Sequence, residues 1–284
     1  MRFYLSVITT LITISLGMFY GGISFGVVFN IAEWVLISGI AIGSFVMSNP
    51  SSLFSQLWKQ LPRIVSEKPY SKTDYLELLS FMFNFFKYSN SVTTAELESH
   101  IDQPSNSHIF NKYPILLKNQ HALSFFQNHF RVVSLGFQDI YEIENMMVME
   151  IETRRNYSSK VFNALNKLGD SLPALGIVAA VLGVIGAMAV AGAAPEILGA
   201  RVAGALIGTF AGVFFAYCVI NPIASFLEKF HDEEMQFLEC MRTGMLSHIK
   251  GYPTQISIEF ARQVISENSQ PSFNEVEEIL YSIK

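Results

Sequence analysis

The sequence is poor in cysteine, with two residues of this type among 284. Cys218 and Cys240 form no Cys-x-x-Cys pattern, and no histidine cluster surrounds either of them. Disulfide-stapled domains and structural zinc sites both need several cysteines at set spacings. The sequence therefore excludes both, and we expect two reduced thiols with a structural role.

Charged residues are also scarce, at 15% of the chain, and acidic residues outnumber basic ones to give a net charge of −5. Proteins that bind nucleic acid through its phosphates usually carry a basic excess, so no nucleic-acid partner is expected. Apolar residues, by contrast, are abundant. Half of the residues are hydrophobic and the mean hydropathy is positive. This composition is typical of a membrane protein with a polar portion.

The signatures of common catalytic sites are missing as well. The chain has no His-Glu-x-x-His helix, no phosphate-binding glycine loop followed by lysine, and no cysteine-rich metal spacing. The serine of GDSLP follows no apolar strand and has no histidine nearby, so it does not indicate a hydrolase. We therefore expect a protein that is not an enzyme and that carries no cofactor or metal.

Four apolar runs are candidate membrane spans, since a helix of about 20 apolar residues crosses a bilayer. The first covers residues 3–21 and the second residues 32–47, while the third and fourth lie between Asp170 and Pro222 around a short turn. Between the second and third runs, charges of both signs and amphipathic helical patterns return. The prediction is an all-α membrane protein with four transmembrane helices and a helical cytoplasmic domain inserted between spans two and three.

The predicted domain boundaries follow these changes in composition. Residues 1–50 hold transmembrane helices one and two, 51–168 a cytoplasmic helical domain, 169–225 transmembrane helices three and four, and 226–284 cytoplasmic C-terminal helices. Basic residues flank the runs on one side, which by the positive-inside rule places that side and both termini in the cytoplasm. These residues are Arg2, Lys59, Arg63, Arg154, Arg155, Lys160 and Lys167.

The third and fourth runs are rich in glycine. Gly204, Gly208 and Gly212 recur at every fourth residue and form one bare strip along the last run. A similar strip in the third run consists of Gly176, Gly183 and Gly186. Helices in lipid associate by close backbone approach at such strips. The strips predict close packing, either inside one subunit or against a second subunit or a partner.

Few ionisable side chains fall inside the apolar runs. Glu33 opens the second, Asp170 precedes the third, and Arg201 lies near the outer end of the fourth. A proton path needs a titratable group within the membrane, so conduction requires a carboxylate from a partner. Glu33 is either a functional acid or a first-turn acid favoured by an Asn30 cap and the helix dipole.

Two prolines mark the cytoplasmic ends of the third and fourth runs. Each has an ordinary explanation: Pro173 as a first-turn residue behind an Asp170 cap, and Pro222 as the stop of the fourth helix. The alternative is a pair of hinges that lets the cytoplasmic part move when a partner group changes its protonation.

Amphipathic helices are predicted in the inserted segment. In the clearest, residues 73–88, one apolar face indicates core packing. In a later helix, which a Thr93–Glu96 capping pattern opens, Glu98 and Asp102 lie four residues apart with no Lys or Arg between them. The usual interpretation is a solvated acidic face, and the alternative is a docking face for a basic partner.

Several segments closely resemble the MotA family, the A subunits of the bacterial flagellar stator, and in particular its proton-driven, lateral-flagellar, LafT-like type. These segments are AEWVLISGIAIGSF, GDSLPALGIVAAVLGV, GTFAGVFFAYCVINPIA, GYPTQISIEFARQVI and PSFNEVEE. The resemblance implies an inner-membrane subunit in a ring of five around a dimer of a MotB-like B subunit, whose transmembrane Asp binds the coupling ion. It also implies that ion flux rotates the ring and turns the rotor protein FliG.

The resemblance implies roles for individual residues. Pro173 and Pro222 match the prolines that couple ion passage to movement. Thr209 matches a polar residue near the ion path, and Asp170 matches the acid before the first proline. Ala180 stands where sodium-driven relatives carry threonine. Because a methyl group cannot ligate a dehydrated sodium ion, Ala180 indicates protons.

In the rotor-contact region of the family, Glu98 matches an acidic residue. Asn90 stands where a basic residue is common, and Lys87, one turn earlier, is the candidate replacement for that charge. Three alternatives stay open: an energy-transducing ring subunit of the ExbB/TolQ class, a sodium-driven stator, and a structural membrane scaffold without ion flux.

Overall fold

The computed structural model describes residues 2–28, 31–62, 70–137 and 139–282. Every regular element within these ranges is helical, so the prediction of an all-α protein is confirmed. The helices divide into two compact units, and each unit contains two separate stretches of the chain. The first unit comprises Met1–Glu67 and Ser158–Lys229, and the second comprises Lys68–Tyr157 and Phe230–Lys284.

The α-helices of the described residues are numbered in chain order. They are α1 (Arg2–Tyr20), α2 (Phe25–Val28), α3 (Ile31–Ser48), α4 (Ser51–Gln60), α5 (Lys72–Ser89), α6 (Thr94–Asp102), α7 (His108–Asn111), α8 (Pro114–Lys118), α9 (Gln120–Ser134), α10 (Ile140–Met188), α11 (Pro195–Phe214), α12 (Asn221–Ile249), α13 (Thr254–Gln263) and α14 (Phe273–Ser282). A short 3-10 turn, Pro104–Asn106, precedes α7, and a π-helical segment, Phe215–Ile220, joins α11 to α12.

The first unit is a membrane unit. Three described helices contain a stretch that is long and apolar enough to cross a bilayer: Ile31–Ser48, Ile140–Met188 and the continuous Pro195–Ile249. Ile8–Tyr20 is a shorter apolar helical stretch. Large apolar side chains on these helices, such as Val35, Ile185 and Leu206, are exposed in the single chain. Helices that face lipid expose apolar side chains in this way, because lipid and not water surrounds them.

Both prolines lie inside continuous helices. α10 runs for 49 residues through Pro173, and α11 continues through the π segment into α12, which contains Pro222. The two ordinary explanations are therefore wrong, since Pro173 is not a first-turn residue behind an Asp170 cap and Pro222 does not end the fourth apolar helix. A proline ring removes one N–H donor and crowds the preceding turn. Before Pro222 the helix widens into π geometry, where the Asn221 N–H donates to the Ala216 carbonyl.

The second unit has a core rich in phenylalanine. Ser71 caps the start of α5, and its N–H donates to Asp74 Oδ2 at 2.7 Å in a capping box. Phe85 of α5 is fully buried and contacts Phe126 and Phe130 of α9 at ring-centroid distances of 4.8 and 4.9 Å. Such edge-to-face pairs add about 0.5–1.5 kcal/mol each beyond apolar burial. The aromatic core fixes the ends of α5 and α9, near which the predicted rotor-contact residues lie.

Candidate functional site

Glycines allow α10 and α11 to approach each other closely. A Cβ built on Gly176 would lie 2.8 Å from the carbonyl oxygen of Gly208, and one on Gly212 would lie 2.5 Å from the carbonyl oxygen of Leu172. Both distances are too short for any side chain, so only glycine fits. The glycine strips therefore pack inside one subunit at these positions. A Cβ on Gly186, by contrast, would meet no described atom within 4 Å.

Ala180 of α10 and Thr209 of α11 both lie at this crossing. The backbone nitrogen of Ala180 lies 3.2 Å from a Cβ built on Gly208, and the Cα of Thr209 lies 3.2 Å from a Cβ built on Gly176. Both residues are half-buried. The crossing thus offers one methyl group and one hydroxyl group, and neither of them titrates.

Gly169 and Asn221 join the two proline-containing segments. Gly169 lies four residues before Pro173, so its carbonyl lacks the helical N–H donor that proline removes. Asn221 directly precedes Pro222, and its Oδ1 would lie 1.8 Å from a Cβ built on Gly169. That oxygen is buried and accepts no hydrogen bond from the described residues. The structure therefore brings the two proline segments into contact, with an exposed Asp170 beside them.

Glu33 lies in the first turn of α3, as its helix-dipole interpretation expects. It lines a cavity of about 680 Å³ together with Glu196 and Arg201. Its Oε2 atom is buried without a hydrogen-bond partner among the described residues, which favours the functional interpretation instead. The predicted cap, Asn30, lies outside the described residues, so both interpretations of Glu33 stay open.

In the second unit, Asp102 is exposed and Glu98 is half-buried, and both carboxylates have partners on α9. The solvated face and the docking face for a basic partner therefore both stay predictions. Ser134 Oγ donates to Glu98 Oε1 at 2.9 Å, and Arg131 forms an ion pair with Asp102. Both partners belong to α9, so the sequence around α6 gave no signal for them. Glu98 is half-buried, and the ion pairs found among the described residues do not include it.

Lys87 and Asn90 are exposed at the end of α5. Lys87 lines a groove of about 660 Å³ that includes Phe273. The same groove includes the carboxylates of Glu259 and Glu277, so its charges have both signs. Glu98 lines a different hollow. The structure therefore does not bring Lys87 and Glu98 into one cavity.

A chain of hydrogen bonds that sequence reasoning missed ties α6 to the end of α5. The Tyr88 hydroxyl donates to Glu96 Oε1 at 2.7 Å and lies 3.1 Å from His100 Nε2. His100 Nδ1 lies 2.9 Å from Ser107 Oγ. Burial, together with the nearby His108, lowers the pKa of His100. The capping pattern alone thus does not explain Glu96, because its carboxylate binds Tyr88 and positions the helix that carries Glu98.

Both cysteines are free thiols. Cys240 lies in the core of the second unit, where burial raises its thiol pKa. Such a thiol is unreactive, which agrees with the structural role expected from the sequence. Among the described residues, no three His, Cys, Asp or Glu side chains converge as they do around a metal ion.

Comparison with known proteins identifies the family. Residues 5–92 match the motility protein A N-terminal family, and residues 118–240 match the MotA/TolQ/ExbB proton channel family. Motility protein A of Escherichia coli (strain K12) is 35% identical over 95% of this chain and 93% of its own length. The chain belongs to the motility protein A family.

Other relatives agree with membership of the motility protein A family. Chemotaxis protein LafT of Vibrio parahaemolyticus is 29% identical over 99% of this chain and 98% of its own. The flagellar MotAB stator complex from Bacillus subtilis contains a chain with the same fold, at a TM-score of 0.78 and 20% identity, covering 97% of this chain and 100% of that one. The ExbB/TolQ alternative is not favoured, because the N-terminal match is specific to motility protein A. The family is one of channel and stator components and not of known enzymes.

Proposed function

We propose that this chain is the A subunit of a flagellar motor stator and forms a proton channel with a MotB-like B subunit. The observation that supports this proposal is the α10–α11 crossing, which forms the wall of the channel. Its two helices approach too closely for any side chain at Gly176 and Gly212. Residues 173–188 and 202–222 contain no Asp, Glu, Lys, Arg or His. A transmembrane Asp of the B subunit supplies the titrating group that this crossing lacks. The MotAB complex from Bacillus subtilis, which shares the fold, supports a two-subunit assembly.

The proposed topology has four spans in the bacterial inner membrane, formed by α1, α3, the second half of α10, and α11. Residues 1–50 and 169–225 then form the membrane part, while residues 51–168 and 226–284 and both termini lie in the cytoplasm. The basic residues that flank the apolar stretches support this orientation. Five copies surround a B-subunit dimer in the proposed ring.

Proton passage is coupled to movement through Pro173 and Pro222. At each proline the regular helical hydrogen bonding is interrupted, so bending there disturbs fewer bonds than elsewhere. The Gly169–Asn221 contact joins the two helix segments whose hydrogen bonding is interrupted, so a bend in one helix displaces the other. Asp170 is exposed beside this contact, and Thr209 and Ala180 line the crossing deeper in the membrane. The Ala180 methyl group favours protons over sodium ions.

The second unit transmits this movement to the rotor protein FliG. Lys87 and Glu98 present charges of opposite sign on its surface, and Asn90 adds a neutral polar group. Exposed ion pairs contribute about 0.2–1 kcal/mol each, so the contact needs further contributions.

The proposed function is tested by replacing Pro173. We expect Pro173→Ala to abolish swimming in soft agar when the chain is expressed with a B subunit in a strain that lacks its own stator. Alanine restores the N–H that the Gly169 carbonyl lacks and so stiffens α10. Immunoblots of the membrane fraction check that expression is unchanged.

Pro195→Ala is the matched control. Pro195 occupies the first position of α11, where a missing N–H breaks no helical bond. We expect this variant to swim normally. Normal swimming of Pro173→Ala would contradict the coupling role of Pro173, and loss of swimming in both variants would show that the effect is not specific to the hinge.

A further inference from the structure

Three charged side chains of the membrane unit line one cavity. Residues 3–58 and 168–227 contain only four charged side chains, those of Glu33, Asp170, Glu196 and Arg201. All of them except Asp170 line the cavity of about 680 Å³ between α3, α10 and α11. Charged groups near lipid are costly and are usually retained for a function. Their convergence therefore marks this cavity as a candidate binding site.

The charged groups of this cavity are not paired within the chain. Glu33 reaches from α3 to α10, where its Oε1 would lie 3.4 Å from a Cβ built on Gly183. Its Oε2 is buried and has no hydrogen-bond partner among the described residues. The ion pairs found in the described part of the chain include neither Glu33 nor Arg201. An ionised carboxylate in this position is costly without a donor, so a donor from another molecule stabilises it.

The charges of the cavity fit a zwitterion better than a simple cation. Glu33 and Glu196 are acidic, whereas Arg201, which is exposed, is basic. A lone cation in the cavity is attracted by the carboxylates but repelled by the guanidinium. A zwitterion satisfies both kinds of group, because its cationic end pairs with Glu33 and its anionic end pairs with Arg201. Guanidinium groups bind phosphate especially well, so a phosphate is the best match for the anionic end.

Apolar side chains continue the cavity onto the surface of the membrane unit. Leu182 is 48% exposed and Ile197 is 51% exposed, and both line the cavity. In the proposed topology, Glu33 and Arg201 lie at the outer ends of their spans, at the depth of the lipid headgroups. A phospholipid combines a charged head with apolar tails in this arrangement. A second copy of the chain fits less well, since Arg201 is the only Lys or Arg in residues 3–58 and 168–228.

We propose that this cavity binds phosphatidylethanolamine, a phospholipid with a primary ammonium headgroup, at the outer surface of the membrane. The ammonium donates hydrogen bonds to the Glu33 carboxylate, the phosphate pairs with Arg201, and an acyl chain packs on Leu182 and Ile197. Phosphatidylcholine binds more weakly, because its quaternary ammonium has no N–H to donate to Glu33. The proposal goes beyond the proposed function and uses only its topology, since lipid binding requires neither ion flux nor rotation.

Lipids that differ only in their headgroup test this proposal. The full chain, with any subunit that co-purifies, is prepared in detergent and titrated with phosphatidylethanolamine, phosphatidylcholine or phosphatidylglycerol of the same acyl chains. Native mass spectrometry measures the bound lipid. We expect phosphatidylethanolamine to bind roughly tenfold more tightly than phosphatidylcholine, which is the effect of one charge-assisted hydrogen bond. Equal affinity for these two lipids would overturn the proposal.

Charge-removing variants identify the groups that select the headgroup. Glu33→Gln keeps the size of the side chain and removes its charge, so the preference for phosphatidylethanolamine over phosphatidylcholine should disappear. Arg201→Gln should weaken the binding of all three lipids, because each contains a phosphate. Glu228→Gln, the same change on α12 outside the cavity, is the matched control and should bind lipid like the unmodified chain. A preference that survives Glu33→Gln would contradict the assignment of the ammonium site.

Photocrosslinking in cells identifies the occupant of the cavity. We expect p-benzoylphenylalanine in place of Ile197 to form an adduct with the mass of one phospholipid, enriched in phosphatidylethanolamine. The matched control is the same photoreactive residue in place of Val46, which is exposed at the other end of α3. Its adducts should reflect the average lipid composition of the membrane. A crosslink from position 197 to a second copy of this chain or to a B subunit, or no enrichment relative to position 46, would overturn the proposal.

The lipid proposal and the proposed function fail in different experiments. If the chain conducts protons with a B subunit and supports swimming, but does not distinguish phosphatidylethanolamine from phosphatidylcholine, the lipid proposal alone is wrong. If it binds phosphatidylethanolamine through Glu33 and Arg201, but neither conducts protons nor supports swimming, the proposed function alone is wrong.

Discussion

At the scale of single residues, the contact between Gly169 and Asn221 determines how closely the two proline segments approach. A Cβ on Gly169 would lie 1.8 Å from Asn221 Oδ1 and 2.8 Å from its Cγ, so it would collide with a side chain. A Cβ on Gly212 would instead lie 2.5 Å from the backbone carbonyl of Leu172. The collision with the Asn221 side chain can be removed by replacing Asn221. The collision with the Leu172 backbone cannot be removed by any substitution.

We therefore expect Gly169→Ala to destabilise the chain by about 1–3 kcal/mol, as overpacking usually does. Adding Asn221→Ala removes the colliding atoms, and the double variant should recover most of this loss. Gly212→Ala is the matched control, because Asn221→Ala should not rescue it. Thermal unfolding of the detergent-solubilised complex measures the stability of both single variants and of the double variant, which together form a double-mutant cycle. Additive effects at Gly169 and Asn221 would show that the contact is unimportant.

At the scale of helices, α12 reaches α5 through His248. Its ring stacks on Phe86 at a centroid distance of 4.3 Å, and its Nε2 lies 3.0 Å from Ser89 Oγ. Burial lowers the pKa of His248 to about 4, below its ordinary value of 6.5. Between these two pH values the unfolded chain binds a proton that the folded chain does not. Acidification from pH 6.5 toward 4 therefore lowers the free energy of unfolding.

Between pH 6.5 and 5.5, we expect the titration of His248 to lower the free energy of unfolding by about 1 kcal/mol. His248→Phe keeps the ring on Phe86 and removes the titrating group, so its stability should fall less between pH 7.5 and 5.5. Circular dichroism during thermal unfolding measures this difference against the unmodified chain. Ser89→Ala is the control, because it removes the hydroxyl that contacts His248 but keeps the buried titrating ring, and it should retain the original pH dependence. An unchanged pH dependence in His248→Phe would contradict the prediction.

Helices could be predicted from the sequence because their signals are local. The apolar face of residues 73–88 lies within the observed helix Lys72–Ser89, and Ser71 caps it beside the predicted start. Contacts between helices could not be predicted in this way. The partners of Glu98 and Asp102 come from α9, about 30 residues later, where no spacing rule connects them. The continuity of α10 through Pro173 was also missed, because a proline signal reports the local backbone and not the packing that keeps a helix intact.

At the scale of the whole molecule, the chain combines a membrane unit without a titratable group at mid-depth and a second unit with its own aromatic core. The glycine crossing is complete within one chain, so the membrane unit does not need a partner to bring α10 and α11 together. In the proposed stator, the B subunit supplies only the acid. Structure and transport are then separable: the single chain forms the wall, and the B subunit adds the titrating group.

Reconstitution into liposomes tests this separation. The chain alone should carry no more protons than empty liposomes, because residues 173–188 and 202–222 offer no carboxylate to the ion. Co-reconstitution with an unplugged B subunit should produce a flux that follows an imposed pH gradient and stays unchanged when sodium replaces potassium. Asn in place of the B subunit's transmembrane Asp is the matched control and should remove the flux. Proton flux through the chain alone would show that a titrating group lies within it, and flux that required sodium would contradict the inference drawn from Ala180.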